Sequence, residues 1–144
     1  MTLMKWDRAL LLKLLKVKMK LLIDTHLLLW AAADMLPKQA IDYFEDLENE
    51  LHFSPASIWE VVIKNGLNRS DFRVNPTALY RGLLENGYKE LEISSNHAIL
   101  TAGLPLHHKD PFDRILLAQA RAEGLALLSA DRALSHFSPV IFVG

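Results

Sequence analysis

Four acidic residues stand where short apolar runs end or where a polar group is out of place. Asp24 directly follows Leu21-Leu22-Ile23, and Glu60 interrupts the apolar segment Ile58-Trp59-Glu60-Val61-Val62-Ile63. Asp113 follows Asp110-Pro111-Phe112, and Asp131 follows Leu128-Ser129-Ala130. Carboxylates gathered in one place repel each other, which is costly unless something cationic binds them. Oxygen-only ligands favour Mg²⁺ or Mn²⁺, whereas zinc would want Cys or suitably spaced His. The chain has no Cys, and its six His form no His-Glu-x-x-His pattern. Carboxylate-held Mg²⁺ serves phosphodiester hydrolysis: it positions and deprotonates a water and stabilises the in-line transition state and the leaving oxygen. Asp24, Glu60, Asp113 and Asp131 are therefore expected to be both metal ligands and catalytic residues.

Each acid also has a simpler role open to it. Asp24 and Asp131 can cap the helices that follow them, and Asp113 suits the first turn of a helix on dipole grounds. Glu60 is harder to explain so, because an ionised Glu in an apolar helix is costly without a partner. Lys64, four residues on, could be that partner.

The elements that must position these acids alternate between short apolar strands and helices. Strands are expected at 20–23, 51–53, 89–93, 125–128 and 140–143. Helices are expected over 25–33, 38–49, 57–65, 76–86, 96–102 and 111–124, with a short one at 132–136. Pro at first turns and Gly at helix ends support several of these bounds. Such alternation builds right-handed βαβ units, hence a three-layer α/β fold: a central, mostly parallel sheet with helices on both faces. In such sheets ligands bind outside the carboxyl ends of the strands, where these acids fall.

Composition agrees with a single folded domain. An apolar fraction of 51% against 23% charged excludes a disordered chain, and 144 residues can bury a core without disulfides. The absence of Cys suits a reducing, cytoplasmic compartment. The longest apolar run, residues 27–33, is seven long, far short of the roughly 18–20 that span a bilayer, so no membrane partner is expected. Residues 1–18 hold five basic residues and one acid, net +4, leaving net −5 on residues 19–144. A domain at −5 is no general nucleic-acid coater, so any such role needs a local basic patch or metal ions. The stretch 1–18 is read as a leader or extension without assigned function, and 19–144 as the functional domain; apolar residues at 3, 6, 10, 14 and 17 would also suit an amphipathic helix.

Four blocks carry a resemblance: Leu21-Leu22-Ile23-Asp24-Thr25-His26, Ser57-Ile58-Trp59-Glu60, His107-His108-Lys109-Asp110-Pro111-Phe112-Asp113-Arg114 and Leu128-Ser129-Ala130-Asp131. In order and spacing they resemble the signature blocks of PIN-domain ribonucleases, in particular the VapC-like toxins of bacterial toxin–antitoxin modules. The resemblance runs from Met19 to the C-terminus. It implies that Asp24, Glu60, Asp113 and Asp131 form an acidic quartet, with Ser129 standing where relatives often carry Thr. It further implies Mg²⁺-dependent endoribonuclease activity on RNA, a homodimer, and inhibition by a cognate antitoxin that threads a peptide, often with an Arg, into the acidic site.

Alternative readings fit less well. A phosphatase of the haloacid-dehalogenase type would want a second Asp where His26 stands, and a phosphate-receiver domain a late Lys at a strand end. A non-catalytic PIN-fold module binding RNA or protein would be expected to lack one of the acids. Lys64, Arg69, Arg73, Lys109, Arg114 and Arg132 are the basic residues available to an RNA backbone; Arg114 and Arg132, beside two of the acids, are expected phosphate clamps, with Ser129 also expected at the substrate.

Overall fold

The structure, a computed structural model, describes residues 18–67, 73–105 and 108–144. Five strands, β1 (Lys20–Ile23), β2 (Glu50–Phe53), β3 (Lys89–Glu90), β4 (Ala126–Ser129) and β5 (Val140–Phe142), form one sheet in the order β3-β2-β1-β4-β5. All neighbours pair in parallel. The helices are α1 (Thr25–Ala32), α2 (Lys38–Glu45), α3 (Pro55–Gly66), α4 (Pro76–Glu85), α5 (Ser95–Leu100) and α6 (Pro111–Glu123), with 3₁₀ turns at Thr101–Gly103 and Arg132–Leu134. The expected three-layer α/β fold is what the chain adopts.

Side chains alternate across the sheet, and the two faces carry separate apolar clusters. Leu21, Ile23, Phe53 and Leu128 face Leu27, Leu28, Val61, Leu79 and Leu83 on one side. Leu22 and Leu127 face Leu116, Leu117, Ala120 and Leu134 on the other. Burying each such leucine contributes roughly 1.5–3 kcal/mol, so the sheet is held from both faces.

Local chemistry sets the element ends. Helix α3 begins two residues earlier than expected, because Ser54 accepts from the Ala56 N–H and Pro55 suits the first turn. Asp110 does the same for α6, accepting from the N–H groups of Phe112 and Asp113, and Gly124 (φ 71°) ends that helix in the left-handed conformation. Strand β3 is two residues long rather than the expected 89–93. Its partner β2 ends at Phe53, whose carbonyl still accepts from the Leu91 N–H, because Ser54 already caps the next helix; the carbonyls of Leu91 and Glu92 accept from the fully buried Gln119 side chain on α6.

Residues 1–17 lie outside the described residues, as do Arg69 and His107. Lys18 pairs with Glu50, and Met19 enters the core while its N–H donates to Asn49. Since β1 and all four acids lie beyond Met19, truncating the chain to start there should lower the melting temperature only modestly. A loss of more than about ten degrees, which for a domain of this size means well over 1 kcal/mol, would show that the leader packs on the domain.

Candidate functional site

Strand order reverses between β1 and β4. The chain lays β2 and β3 to one side of β1 and then crosses to place β4 on the other. The carboxyl ends of β1 and β4 therefore open a crevice of the kind that binds ligands in open α/β sheets. Register pairs Ile23 with Leu128, so the next residues, Asp24 and Ser129, stand side by side. The Asp24 N–H extends the ladder to the Leu128 carbonyl at 3.0 Å.

A cleft of about 330 Å³ at this edge is lined by Asp24, Glu60, Asp113 and Asp131, together with Asp110, His26, Lys64 and the apolar Ile63, Leu67, Pro111 and Phe112. The structure thus brings all four expected acids to one cleft, from β1, α3, α6 and the end of β4. Asp24 is 3% exposed and caps α1, its Oδ1 accepting from the His26 N–H at 3.0 Å. Its Oδ2 accepts from Ser129 Oγ at 2.5 Å, and that same Oγ accepts from the Asp131 N–H at 3.0 Å. Asp131 in turn caps the 3₁₀ turn that follows, accepting from the Ala133 N–H. The capping roles open to Asp24 and Asp131 are thus filled while both line the cleft.

Glu60, 7% exposed, pairs with Lys64 Nζ at 2.8 Å, the partner its apolar helix calls for. Helix α3 packs on α6, which carries Asp113 in its first turn. Asp113 Oδ2 lies 3.2 Å from His108 Nε2. Burial, and then repulsion from Asp110, Asp24, Asp131 and Glu60, push the Asp113 carboxyl up to about 8. Burial likewise raises Asp24, against the lowering effect of its bonds to Ser129 and His26.

Three residues expected to touch substrate have other tasks here. Ser129 is fully buried, so it ties Asp24 to the Asp131 backbone rather than facing a ligand. The Arg114 guanidinium donates to the carbonyls of Thr101, Leu104, Pro105 and His108, holding the loop before α6. Arg132 lies over the Phe142 ring at 5.6 Å. Sequence reasoning missed the buried Thr25 Oγ1 to Ser57 Oγ hydrogen bond of 2.8 Å, which locks α1 to α3; two hydroxyls 32 positions apart give no local signal. It also missed the contact of exposed Trp59 with Phe112 at the cleft, ring centroids 5.4 Å apart.

Ser129→Ala should cost about 1–3 kcal/mol, because it deprives two groups of their buried partner. Ser129→Thr keeps the hydroxyl and should melt close to wild type. Equal melting temperatures for Ala and wild type would show that the link carries no load.

The donor chemistry of the cleft fits a hard divalent cation: its acidic groups are all carboxylates, and the Asp113 carboxyl is raised first by burial and then by neighbouring negative charge, the part that a dication would relieve. Among the described residues no three His, Asp or Glu side chains are drawn together closely enough to grip an ion as they stand. Mg²⁺ commonly keeps several waters and uses only one or two carboxylates, so such a spread of acids is compatible with it.

The PIN domain profile matches residues 21–138, most of the chain and all four acids. The chain belongs to the PIN-domain family. No curated protein matches it in sequence. In fold, this PIN domain resembles a chain of the VapBC2 complex from Rickettsia felis bound to a DNA fragment from its promoter. That likeness has a TM-score of 0.64 and 15% identity, over 86% of this chain and 97% of the other. A toxin–antitoxin complex from Klebsiella pneumoniae matches with TM-score 0.62 and 19% identity, over 85% and 97% of the two chains. DNA-bound VapBC from Salmonella typhimurium matches with TM-score 0.62 and 16% identity, over 86% and 96%. No helix among the described residues is long and apolar enough to cross a membrane.

Proposed function

We propose that this PIN domain, residues 19–144, is a Mg²⁺- or Mn²⁺-dependent endoribonuclease and the toxin of a toxin–antitoxin pair. The observation that carries this reading is the convergence of Asp24, Glu60, Asp113 and Asp131 on one cleft at the switch point of the sheet. The likeness of the fold to chains of VapBC and other toxin–antitoxin complexes supports the biological half of it.

A bound divalent cation would supply the positive charge that activates water and stabilises the transition state of phosphodiester hydrolysis. The chain's own residues do the rest. Ser129 and the His26 N–H fix both Asp24 oxygens, so this carboxylate is oriented before any ligand arrives. Asp110 caps α6 and thereby sets the turn from which Asp113 faces the cleft. Arg114 steadies the loop that brings His108 to Asp113. The acids repel an RNA backbone on their own, so substrate approach depends on cation loading.

Partners follow from the same surface. A guanidinium can satisfy carboxylates without metal, so an antitoxin peptide carrying Arg suits this cleft as an inhibitor, and a homodimer and a cytoplasmic location complete the proposal. The test is cleavage of purified RNA with Mg²⁺ and with chelator, followed by sequencing of the cut ends. Internal cuts that require the metal are expected. Absence of cleavage on transfer, ribosomal and messenger RNA alike would favour a non-catalytic binding module.

A further inference from the structure

Lys64 occupies a place in the cleft that a metal reading does not by itself require. It lies one turn after Glu60 on α3, with its Nζ 2.8 Å from Glu60 Oε2. Among the described residues lining the cleft it is the one Lys or Arg, set against Asp24, Glu60, Asp110, Asp113 and Asp131. The pair is sheltered, with side chains 29% and 9% exposed, so water and salt screen it less than a surface pair. Of the described guanidiniums next to the acids in sequence, that of Arg114 donates to backbone carbonyls and that of Arg132 lies over the Phe142 ring.

We propose that Lys64 is a resident cation that competes with the divalent ion for Glu60. The inference rests on the metal reading above and names the residue that regulates it. Among the described residues no Lys or Arg forms an ion pair with Asp24, Asp113 or Asp131, whereas Glu60 must first give up its ammonium to an entering ion. Lys64 has a flexible four-carbon stem. Once displaced it stays at the cleft, where an incoming phosphodiester is the next anionic partner within its reach. Lys64 thus holds the empty site together and weakens its grip on metal until a substrate offers the ammonium another partner.

An ion that takes Glu60 must first displace a sheltered, charge-assisted hydrogen bond of 2.8 Å, so competition of this kind should weaken metal binding by about tenfold or more. The measurement is Mn²⁺ affinity of the full chain without RNA, read from the loss of the free-ion electron paramagnetic resonance signal. Lys64→Met keeps the stem and removes the charge, and should bind Mn²⁺ at least about tenfold more tightly than wild type. Lys64→Arg keeps the charge and should bind as wild type does. The gain should vanish in the Glu60→Gln/Lys64→Met double variant, since the contested ligand is gone. Should Lys64→Met fail to fold because Glu60 is left unpaired, Lys64→Gln, which keeps a donor, carries the same expectation. Equal Mn²⁺ affinity in wild type and the neutral variants overturns the inference alone, as does weaker binding in the variants, which would make Lys64 an aid to the site. Absence of Mn²⁺ binding in every protein, wild type included, overturns the metal reading and this inference with it.

Discussion

Asp113→Asn should abolish RNA cleavage, with a loss of at least about a hundredfold, because it removes a charge from the site where transition-state charge must be balanced. Asp24→Asn should do the same. Both substitutions keep side-chain volume, and both leave the fold its supports. Asn is as good a helix cap as Asp, so the Asp24 variant can still accept from the His26 N–H. The Asp113 variant keeps an oxygen for His108. Circular dichroism of the purified variants should therefore match wild type while cleavage disappears. Near-wild-type cleavage by either variant, free of contaminating nuclease, would remove that acid from the catalytic assignment.

The same substitutions should stabilise the metal-free protein, and the effect should depend on pH. The Asp113 carboxyl is raised from 3.8 to about 8 by burial and by four neighbouring acids. A carboxyl raised in this way keeps its proton in the folded state and loses it in the unfolded one. Its ionisation therefore favours unfolding progressively as pH rises from about 4 to about 8, and the penalty is constant above that. Each unit of such displacement corresponds to about 1.4 kcal/mol, so the effect belongs among the largest that a single residue can exert here. In chelator, Asp113→Asn should melt near wild type at pH 4 and well above it at pH 8. Asp24→Asn should melt at or above wild type, since burial works against that charge too.

Millimolar Mg²⁺ should reverse the comparison. On the proposed reading it binds only the folded arrangement, so it should raise the melting temperature of wild type in a concentration-dependent way and that of either variant less. A purely structural role for Asp24 predicts destabilisation with and without metal. Melting curves at several pH values, in chelator and in Mg²⁺, separate the two; a variant that melts well below wild type in chelator would argue against a convergent acidic site.

Much of this molecule is written in local order along the chain. An apolar triplet followed directly by Asp24 marks β1, an apolar run reaching Asp131 through Ser129-Ala130 marks β4, and Pro111 at a first turn marks the start of α6. These signals are local because a cap, a first-turn Pro and an alternating strand act on residues within one turn of each other. The parallel α/β class follows from their alternation, and with it the expectation that the acids share one edge. Fold class and candidate acids were therefore legible without coordinates.

What each side chain does with its neighbours was decided by tertiary structure. Ser129 is 105 positions from Asp24, and only the β1–β4 register sets its hydroxyl on that carboxylate instead of on a substrate. Arg114 sits beside Asp113 in sequence, yet the helix turns it toward the carbonyls of Thr101, Leu104, Pro105 and His108, which lie outside the sheet. Strand β3 stops at Glu90 because its partner β2 ends at Phe53, and the carbonyls of Leu91 and Glu92 find Gln119, from a helix formed almost thirty residues later. Hydrogen-bond partners and charge neighbours at such separations depend on strand order and helix crossing, which emerge only when the whole core closes and bring together groups that carry no mark of each other in the sequence.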